Sequence, residues 1–373
     1  MRTERLLISV LIPIVFSISG NGVKTASAQE LRIESDISEV PDLYRQDTLT
    51  LCFMGDMMMH SLQISNAYRE GQEHDFSSYF RFMKDHISKA DIAVANMEFT
   101  LAGEPYTGYP CFSAPDSYAY YLADCGFDVF LAANNHILDK GSEGAARTVG
   151  IYRKMEDEQG IRYTGIASDE EDRSRNYPLL IRRKGIQISL LNFTYGTNLG
   201  NTEHWPKTNY MGKTSEIIQA IENSSTADFV IALPHWGPEY QTRHSESQEK
   251  TAGWLIDNGI DLIVGAHPHV VQDTTSIDGV PVIYSMGNAV SNMSAPDTQL
   301  ELMVTVRIIR YGNGDLKMEE PELTWLWCSR PGGYSSSYTV IPVEDFIGTR
   351  DEWYGAWEYE KMVSTYERIR NNR

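Results

Sequence analysis

Seven short, nearly unbroken apolar runs punctuate the chain, and each ends in a polar cluster. Residues 48–53 (TLTLCF) lead into Met54-Gly55-Asp56, 92–95 into Asn96-Met97-Glu98, and 127–132 into Ala133-Asn134-Asn135-His136. Residues 186–193 lead into Thr194-Tyr195-Gly196, and 229–233 into Pro234-His235-Trp236-Gly237. Residues 262–264 lead into Gly265-Ala266-His267-Pro268-His269, and 282–284 into Ser285-Met286-Gly287-Asn288. Apolar runs without polar alternation are what strands buried on both faces require. Helical patterns fill several of the intervals, at 76–90, 117–125, 143–160, 215–224 and 247–258. Strand and helix in alternation predict an α/β fold with crossover connections. The functional edge of such a sheet is the carboxyl end of its strands, where all seven polar clusters fall.

The remainder is less regular. Residues 197–213 read as a long polar loop near the site edge, and 301–309 and 323–327 as late strands. Residues 351–371 read as a helix with Trp353, Trp357, Met362, Tyr366 and Ile369 on one packed face. With no internal repeat and no clear linker, the simplest organisation is one domain at 48–310 and a C-terminal extension at 311–373 packed on it.

Ahead of that domain, Arg2 and Arg5 precede an apolar run at 6–19, and Ala26-Ser27-Ala28 follow. This is the layout of an export signal at 1–28, cleaved after Ala28, with a linker at 29–47. The run is shorter than the roughly 20 residues a spanning helix needs, which disfavours the alternative of an uncleaved anchor. The expectation is an exported protein, periplasmic or extracellular, with no integral membrane span after cleavage. The formal net charge is −19, and loss of 1–28 makes it two units more negative. Such a surface repels nucleic acid, which is excluded as a partner. A hydrophobic fraction of 42% over 373 residues supports a sizeable core. Of the four cysteines, Cys52 reads as core, and Cys111 with Cys125 reads either as a bridge or as free thiols. The chain has no CxxC, which argues against a zinc–thiolate site.

The polar clusters supply a ligand set. Taken singly, a histidine at a strand end or an Asp after Gly has an ordinary structural explanation. Taken together, Asp56, Glu98, Asn135, His235, His267 and His269 meet at one predicted sheet edge. In His267-Pro268-His269, alternate residues of an extended segment would place two imidazoles on neighbouring ions. Nitrogen and oxygen donors without thiolate favour one or two divalent ions of Mn, Fe or Zn over copper or an iron–sulfur cluster.

Six motifs occur in order: FMGDMMMH (53–60), VANMEFTL (94–101), LAANNHILDKG (131–141), PHWGPEY (234–240), GAHPHVVQ (265–272) and IYSMGN (283–288). By these the sequence resembles the CapA (PgsA) family of capsule and poly-γ-glutamate biosynthesis proteins, which is related to calcineurin-like metallophosphoesterases. The resemblance implies a four-layer α/β/β/α sandwich with a two-metal site. It implies Asp56 and His269 on one metal, Asn135, His235 and His267 on the other, and Glu98 as the bridge. His136 would be the catalytic acid. Met58 stands where metallophosphoesterases place the histidine of Asp-x-His, and His60 nearby is either a substitute ligand or an ordinary turn histidine. Asn96 and Asn134 would fix ligand-bearing loops, and Tyr195, Glu239 and Asn288 would line or support the pocket. The implied function is a metal-dependent hydrolase or transferase acting on an anionic extracellular polymer or its precursor, alongside other capsule-synthesis components. The rival readings are a non-catalytic polymer-binding or export protein and a general exported phosphoesterase.

Overall fold

The computed structural model of the protein describes residues 47–71, 73–200 and 204–371. The expected export signal, and all of the expected linker except Asp47, lie outside the described residues. The first half of the chain contributes strands β1 (Asp47–Met57), β2 (Ile92–Met97), β3 (Val129–Leu131), β4 (Arg162–Thr164), β5 (Leu179–Arg183) and β6 (Ile186–Thr194). There follow β7 (Phe229–His235), β8 (Leu262–Val264), β9 (Thr274–Ile277), β10 (Val280–Ile283), β11 (Leu300–Arg310), β12 (Leu316–Met318), β13 (Glu322–Ser329) and β14 (Thr339–Pro342).

Two sheets result. The first runs β14-β13-β11-β1-β2-β3-β4, with β12 beside β11. The second runs β9-β10-β8-β7-β6-β5. Strands β1 to β4 are mutually parallel, as are β6, β7, β8 and β10, so both sheets offer carboxyl ends. The alternation of β1 shows how the layers assemble. Leu49, Leu51 and Phe53 point at the second sheet and pack with Ile188, Leu190, Ile231 and Leu262. Cys52 and Met54 point the other way, into a core with Tyr118, Leu122, Val149 and Tyr152 from the helices Asp116–Asp124 and Gly141–Gln159. On the far side, Leu191, Ala232 and Ile263 pack against Ile217, Ala220, Ala252 and Leu255 of the helices Thr214–Asn223 and Glu246–Asp257. Helix, sheet, sheet and helix stack as a four-layer α/β/β/α sandwich. Because both faces of each sheet are covered, its strands must be apolar on both sides, and this is why the runs lack alternation.

The C-terminal segment joins the first sheet through β13 and β14, and the helix Ala356–Asn371 packs Met362, Tyr366 and Ile369 on Trp325 and Trp327. Two expectations need correction. The helix starts at Ala356, so Trp353 packs from the preceding turn, and Trp357 is 61% exposed rather than on the packed face. Only Lys84–Ser88 is helical within 76–90. There the backbone turns tightly, with Tyr79 N–H donating to Phe76 O and Met83 N–H to Phe80 O, while Phe76, Tyr79, Phe80, Met83 and Ile87 are all buried. The five buried residues keep the i, i+3, i+4, i+7 spacing of an amphipathic helix, with Arg81, Lys84, Asp85, His86 and Lys89 exposed, so the spacing signals the burial without fixing a regular helix. All four cysteines are free thiols, so Cys111 and Cys125 form no bridge.

β1 carries a bulge between Met54 and Asp56. Bulges re-aim the side chain that follows them, and here that side chain is Asp56. Gly55 makes the bulge possible, since a Cβ there would lie 2.0 Å from Gly287 O. Gly55→Ala is expected to destabilise the fold by about 1–3 kcal/mol through overpacking. Chemical denaturation checks it, and an unchanged midpoint would contradict the close approach.

Candidate metal centre

The carboxyl ends of both sheets converge on one buried cluster. The first sheet supplies Asp56 from the β1 bulge, Asn96 and Glu98 from the end of β2, and Asn135 and His136 from the loop after β3. The second supplies His235 at the end of β7, and His267 and His269 after β8. All eight are at most 4% exposed. Asn96 Nδ2 donates to Asp56 Oδ1 at 2.6 Å and lies 3.3 Å from His235 Nδ1, so it ties the two sheets together. His235 Nε2 lies 2.9 Å from Asn135 Oδ1.

Glu98 is the centre of the arrangement. Its side chain is fully buried, and neither carboxylate oxygen has a hydrogen-bond partner. Around Oε1 stand His269 Nε2 at 3.6 Å, His235 Nε2 at 3.8 Å and His136 Nε2 at 3.9 Å. A buried carboxylate without donors costs several kcal/mol unless a cation or a proton neutralises it. Burial, then the neighbouring Asp56 charge, drive the Glu98 carboxyl well above its ordinary range. Three groups of donor atoms, each within 4.8 Å of one another, surround this space: Glu98–His235–His267, Asp56–Glu98–His269 and Glu239–His267–His269. The cluster can hold a metal ion. Burial and the nearby histidines push His235 well below its usual value, and burial above all pushes His267 down to about 3. Both imidazoles are therefore neutral, the form that binds a metal. Burial opposes protonation of His269 too, but its hydrogen bond to Asp56 and the Asp56 charge outweigh it and leave the net shift upward.

The positions of the remaining candidates differ. Asn288 Oδ1 lies 2.9 Å from His269 Nδ1, while its amide nitrogen is spent on Ser291 Oγ and Thr298 O, so the oxygen faces the ring. Asp56 Oδ2, 3.2 Å from the same Nδ1, is a second acceptor. Nδ1 therefore carries the proton, and Nε2 is left facing Glu98. Asn134 Oδ1 accepts from the His136 N–H, and its amide donates to Met97 O, fixing the loop after β3. Tyr195 and Glu239 sit on the rim, with the Tyr195 ring 4.6 Å from that of His267 and a Glu239 oxygen 3.9 Å from His269 Nε2. Met58 is core. His60 belongs to none of the donor groups; it precedes the helix Ser61–Ala67, with its N–H donating to Gln63 Oε1 and its Nδ1 accepting from the Asn292 N–H. The His267-Pro268-His269 segment is not extended. His267 and His269 have φ of +99° and +60°, in the left-handed region, so a strained turn rather than strand alternation aims both rings inward.

Two residues of the site were not singled out from sequence. Asp139, three residues after His136, holds His136 Nδ1 with Oδ2 at 2.7 Å and also accepts from the Phe112 N–H. Its i+3 position within the quoted LAANNHILDKG motif is the signal that could have found it. Glu301 of β11, fully buried, accepts the Gly55 N–H at 2.7 Å and so supports the bulge that carries Asp56. A charged residue within a strand defaults to a solvent-facing reading, so no sequence signal marked it.

These shifts predict the pH dependence of the ion-free fold. Glu98 and Glu301 are raised on folding, so the stability they allow is present below their unfolded value of about 4.3 and lost as pH rises through the folded values. His235 and His267 are lowered, so their contribution is present above about 6.5 and lost as pH falls toward the folded values. Denaturation of chelator-treated protein from pH 4 to 9 should therefore show decline at both ends, and added divalent ion should shrink the alkaline decline. An alkaline limb indifferent to added ion would contradict the account of Glu98.

The sequence matches, over residues 50–293, the family described as "Bacterial capsule synthesis protein PGA_cap". The chain belongs to this family. Every site residue named above except Glu301 lies within the matched segment. The family member is 25% identical over 316 residues to the PGA biosynthesis protein CapA of Bacillus subtilis (strain 168), covering 82% of this chain and 77% of that one. It is 28% identical over 258 residues to the capsule biosynthesis protein CapA of Bacillus anthracis, covering 65% and 60%. Among solved structures, it is similar to the 5′-nucleotidase precursor from Thermus thermophilus, with TM-score 0.45, 11% identity, and coverage of 87% of this chain and 59% of that chain. The Haemophilus influenzae NAD nucleotidase gives TM-score 0.43 at 11% identity, covering 88% and 61%. The chain thus spans less than two thirds of either solved structure. No helix among the described residues is long and apolar enough to cross a membrane.

Proposed function

We propose that the cluster holds two adjacent divalent ions, of Mn, Fe or Zn, and that this capsule-synthesis family member is an exported hydrolase or transferase. Its substrate in this reading is an anionic extracellular polymer or its precursor, as the names of the Bacillus relatives suggest, with other capsule-synthesis components as partners. Residues 1–28 direct export to the periplasm or beyond, and 29–47 link to the domain at 48–310. Residues 311–373 complete the first sheet and pack on it.

One observation carries the reading: Glu98 is a buried carboxylate with both oxygens unpartnered, shared by two of the three histidine-bearing donor groups. Asp56 and His269 would hold one ion, Asn135, His235 and His267 the other, and Glu98 both. Divalent ions there supply Lewis acidity toward a phosphoryl or carboxamide oxygen. The protein supplies the rest. Asn288 and Asn96 orient His269 and Asp56, as supporting hydrogen bonds do around metal ligands. Asp139 accepts a hydrogen bond from His136 Nδ1–H, and this leaves Nε2, 3.9 Å from Glu98, as the atom that exchanges a proton with a leaving group. Tyr195 and Glu239 border the approach.

The test is turnover by the purified chain of an aryl phosphate, an aryl phosphodiester and poly-γ-glutamate with Mn or Zn added. Hydrolysis that stops on chelation and returns on adding the ion is expected. Polymer binding without turnover of any of the three would replace this reading with that of an accessory binding protein.

A further inference from the structure

Apart from the metal cluster, the surface carries a cleft that the cluster's chemistry does not use. This cleft, of about 490 Å³, opens between the helix Ser61–Ala67, the hairpin that follows it and the loop at 104–106. His74 forms its anchored centre, stacked at an interplanar angle of 6° on Phe76, which is itself buried in the core. Tyr68 and Tyr106 both stand nearly perpendicular to His74, at 5.8 and 5.6 Å between ring centres. Tyr68 is 49% exposed, a large ring left in solvent. Ser61 and Ser65, four residues apart and so on one helix face, add hydroxyls, and Glu104 adds a carboxylate. Among the described residues, no lysine or arginine lines the cleft.

We propose that the cleft between Tyr68 and Tyr106 is a sugar-binding subsite that seats an uncharged pyranose ring of the substrate. The C–H face of a pyranose is apolar and packs on an aromatic ring, while its hydroxyls donate to carboxylate and hydroxyl oxygens. Tyr68 and Tyr106 offer the first, and Glu104, Ser61 and Ser65 the second. Charge favours a neutral ring, because Glu104 is the charged side chain that lines the cleft and the cations beside it, Arg69 and Arg147, are paired with Asp75 and Asp116. A line of packed rings connects the wall of the cleft to the reaction site. Ser61 follows His60, whose ring lies 5.2 Å from that of Phe112, which in turn lies 4.6 Å from that of His136. In its link to catalysis this inference rests on the metal-site reading, and it adds a neutral sugar unit to the anionic polymer or precursor proposed there.

The test uses the full chain and calorimetric titration with cellohexaose, maltohexaose, chitohexaose and poly-γ-glutamate. At least one neutral oligosaccharide should bind, and Tyr68→Ala and Tyr106→Ala should each weaken it by about tenfold. Ser65→Trp, a change on an exposed helix position, should block the cleft without touching the core, so the test does not depend on how the tyrosine variants fold. Poly-γ-glutamate titrations should be the same for all four proteins. Failure of all three oligosaccharides to bind at millimolar concentration, or binding unchanged in Ser65→Trp, overturns the proposal. So does a loss that falls on poly-γ-glutamate instead. Metal content measured on the same preparation separates the two readings, because a metal-free protein that binds sugar through Tyr68 and Tyr106 sinks only the metal site.

Discussion

His136→Ala should lower turnover by about 10²–10⁴-fold, the usual worth of a positioned proton donor, while metal content stays at the wild-type level. The separation follows from geometry. His136 Nε2 faces Glu98 at 3.9 Å, yet His136 belongs to none of the three donor groups that could hold an ion. Its other nitrogen is held by Asp139, which is fixed in turn by the Phe112 N–H, and its ring stands edge-on to Phe112. A ring clamped on two sides and left with one free nitrogen toward the cluster is placed to move a proton. Asp139→Asn should give a smaller loss of the same kind, since the amide can still occupy the position while presenting the wrong atom to Nδ1. Metal content is read by elemental analysis and turnover with the most active of the three substrates. Equal activity in wild type and His136→Ala would remove His136 from the chemistry. Loss of metal in step with activity would make it a ligand.

Glu98→Gln should have the opposite signature, abolishing metal binding while leaving the ion-free fold at least as stable. In the ion-free protein Glu98 gains nothing from its burial, because neither oxygen is bonded and Asp56 repels its charge. An uncharged amide of the same shape removes that penalty. With metal the balance reverses. At a free-ion concentration 100 times its dissociation constant, a bound ion stabilises the wild type by about 2.7 kcal/mol, and a variant that cannot bind gains none of it. Denaturation with chelator and with Mn or Zn gives both numbers in one experiment. Equal stabilisation of wild type and Glu98→Gln by the ion would show that Glu98 does not hold it.

Much of this site was legible because the fold writes it in a simple code. Strands covered on both faces must be apolar throughout, so Asp56, Glu98, Asn135, His235 and His267 stand out where the apolar runs end. That pointed to the strand ends without any knowledge of strand order, although two sheets, not one edge, supply the cluster. The strands that carry no such code went unread. β4, β5 and β9 are short, and β5 and β9 hold half-buried or exposed polar residues such as Arg183 and Ser276. Pairing across long sequence separations was also invisible, since nothing local in 282–310 shows that Gly287 closes on Gly55 or that Glu301 reaches the β1 bulge. Both histidines of the pair reach the cluster, but not on the extended backbone expected. Pro268 and two left-handed residues make a turn, and positive φ at His267 and His269 cannot be inferred from residue type. Asp139 shows a further limit, because a carboxylate three residues from a histidine reads as solvated until the ring is seen against it.

The central claim is that the buried carboxylate of Glu98 and its histidines hold divalent metal, and elemental analysis of the chain purified without chelators tests it most directly. The account predicts two equivalents of transition metal per chain, reduced to background in Glu98→Gln. A wild-type protein that carries none, and takes up none on dialysis against Mn, Fe(II) or Zn, would contradict it.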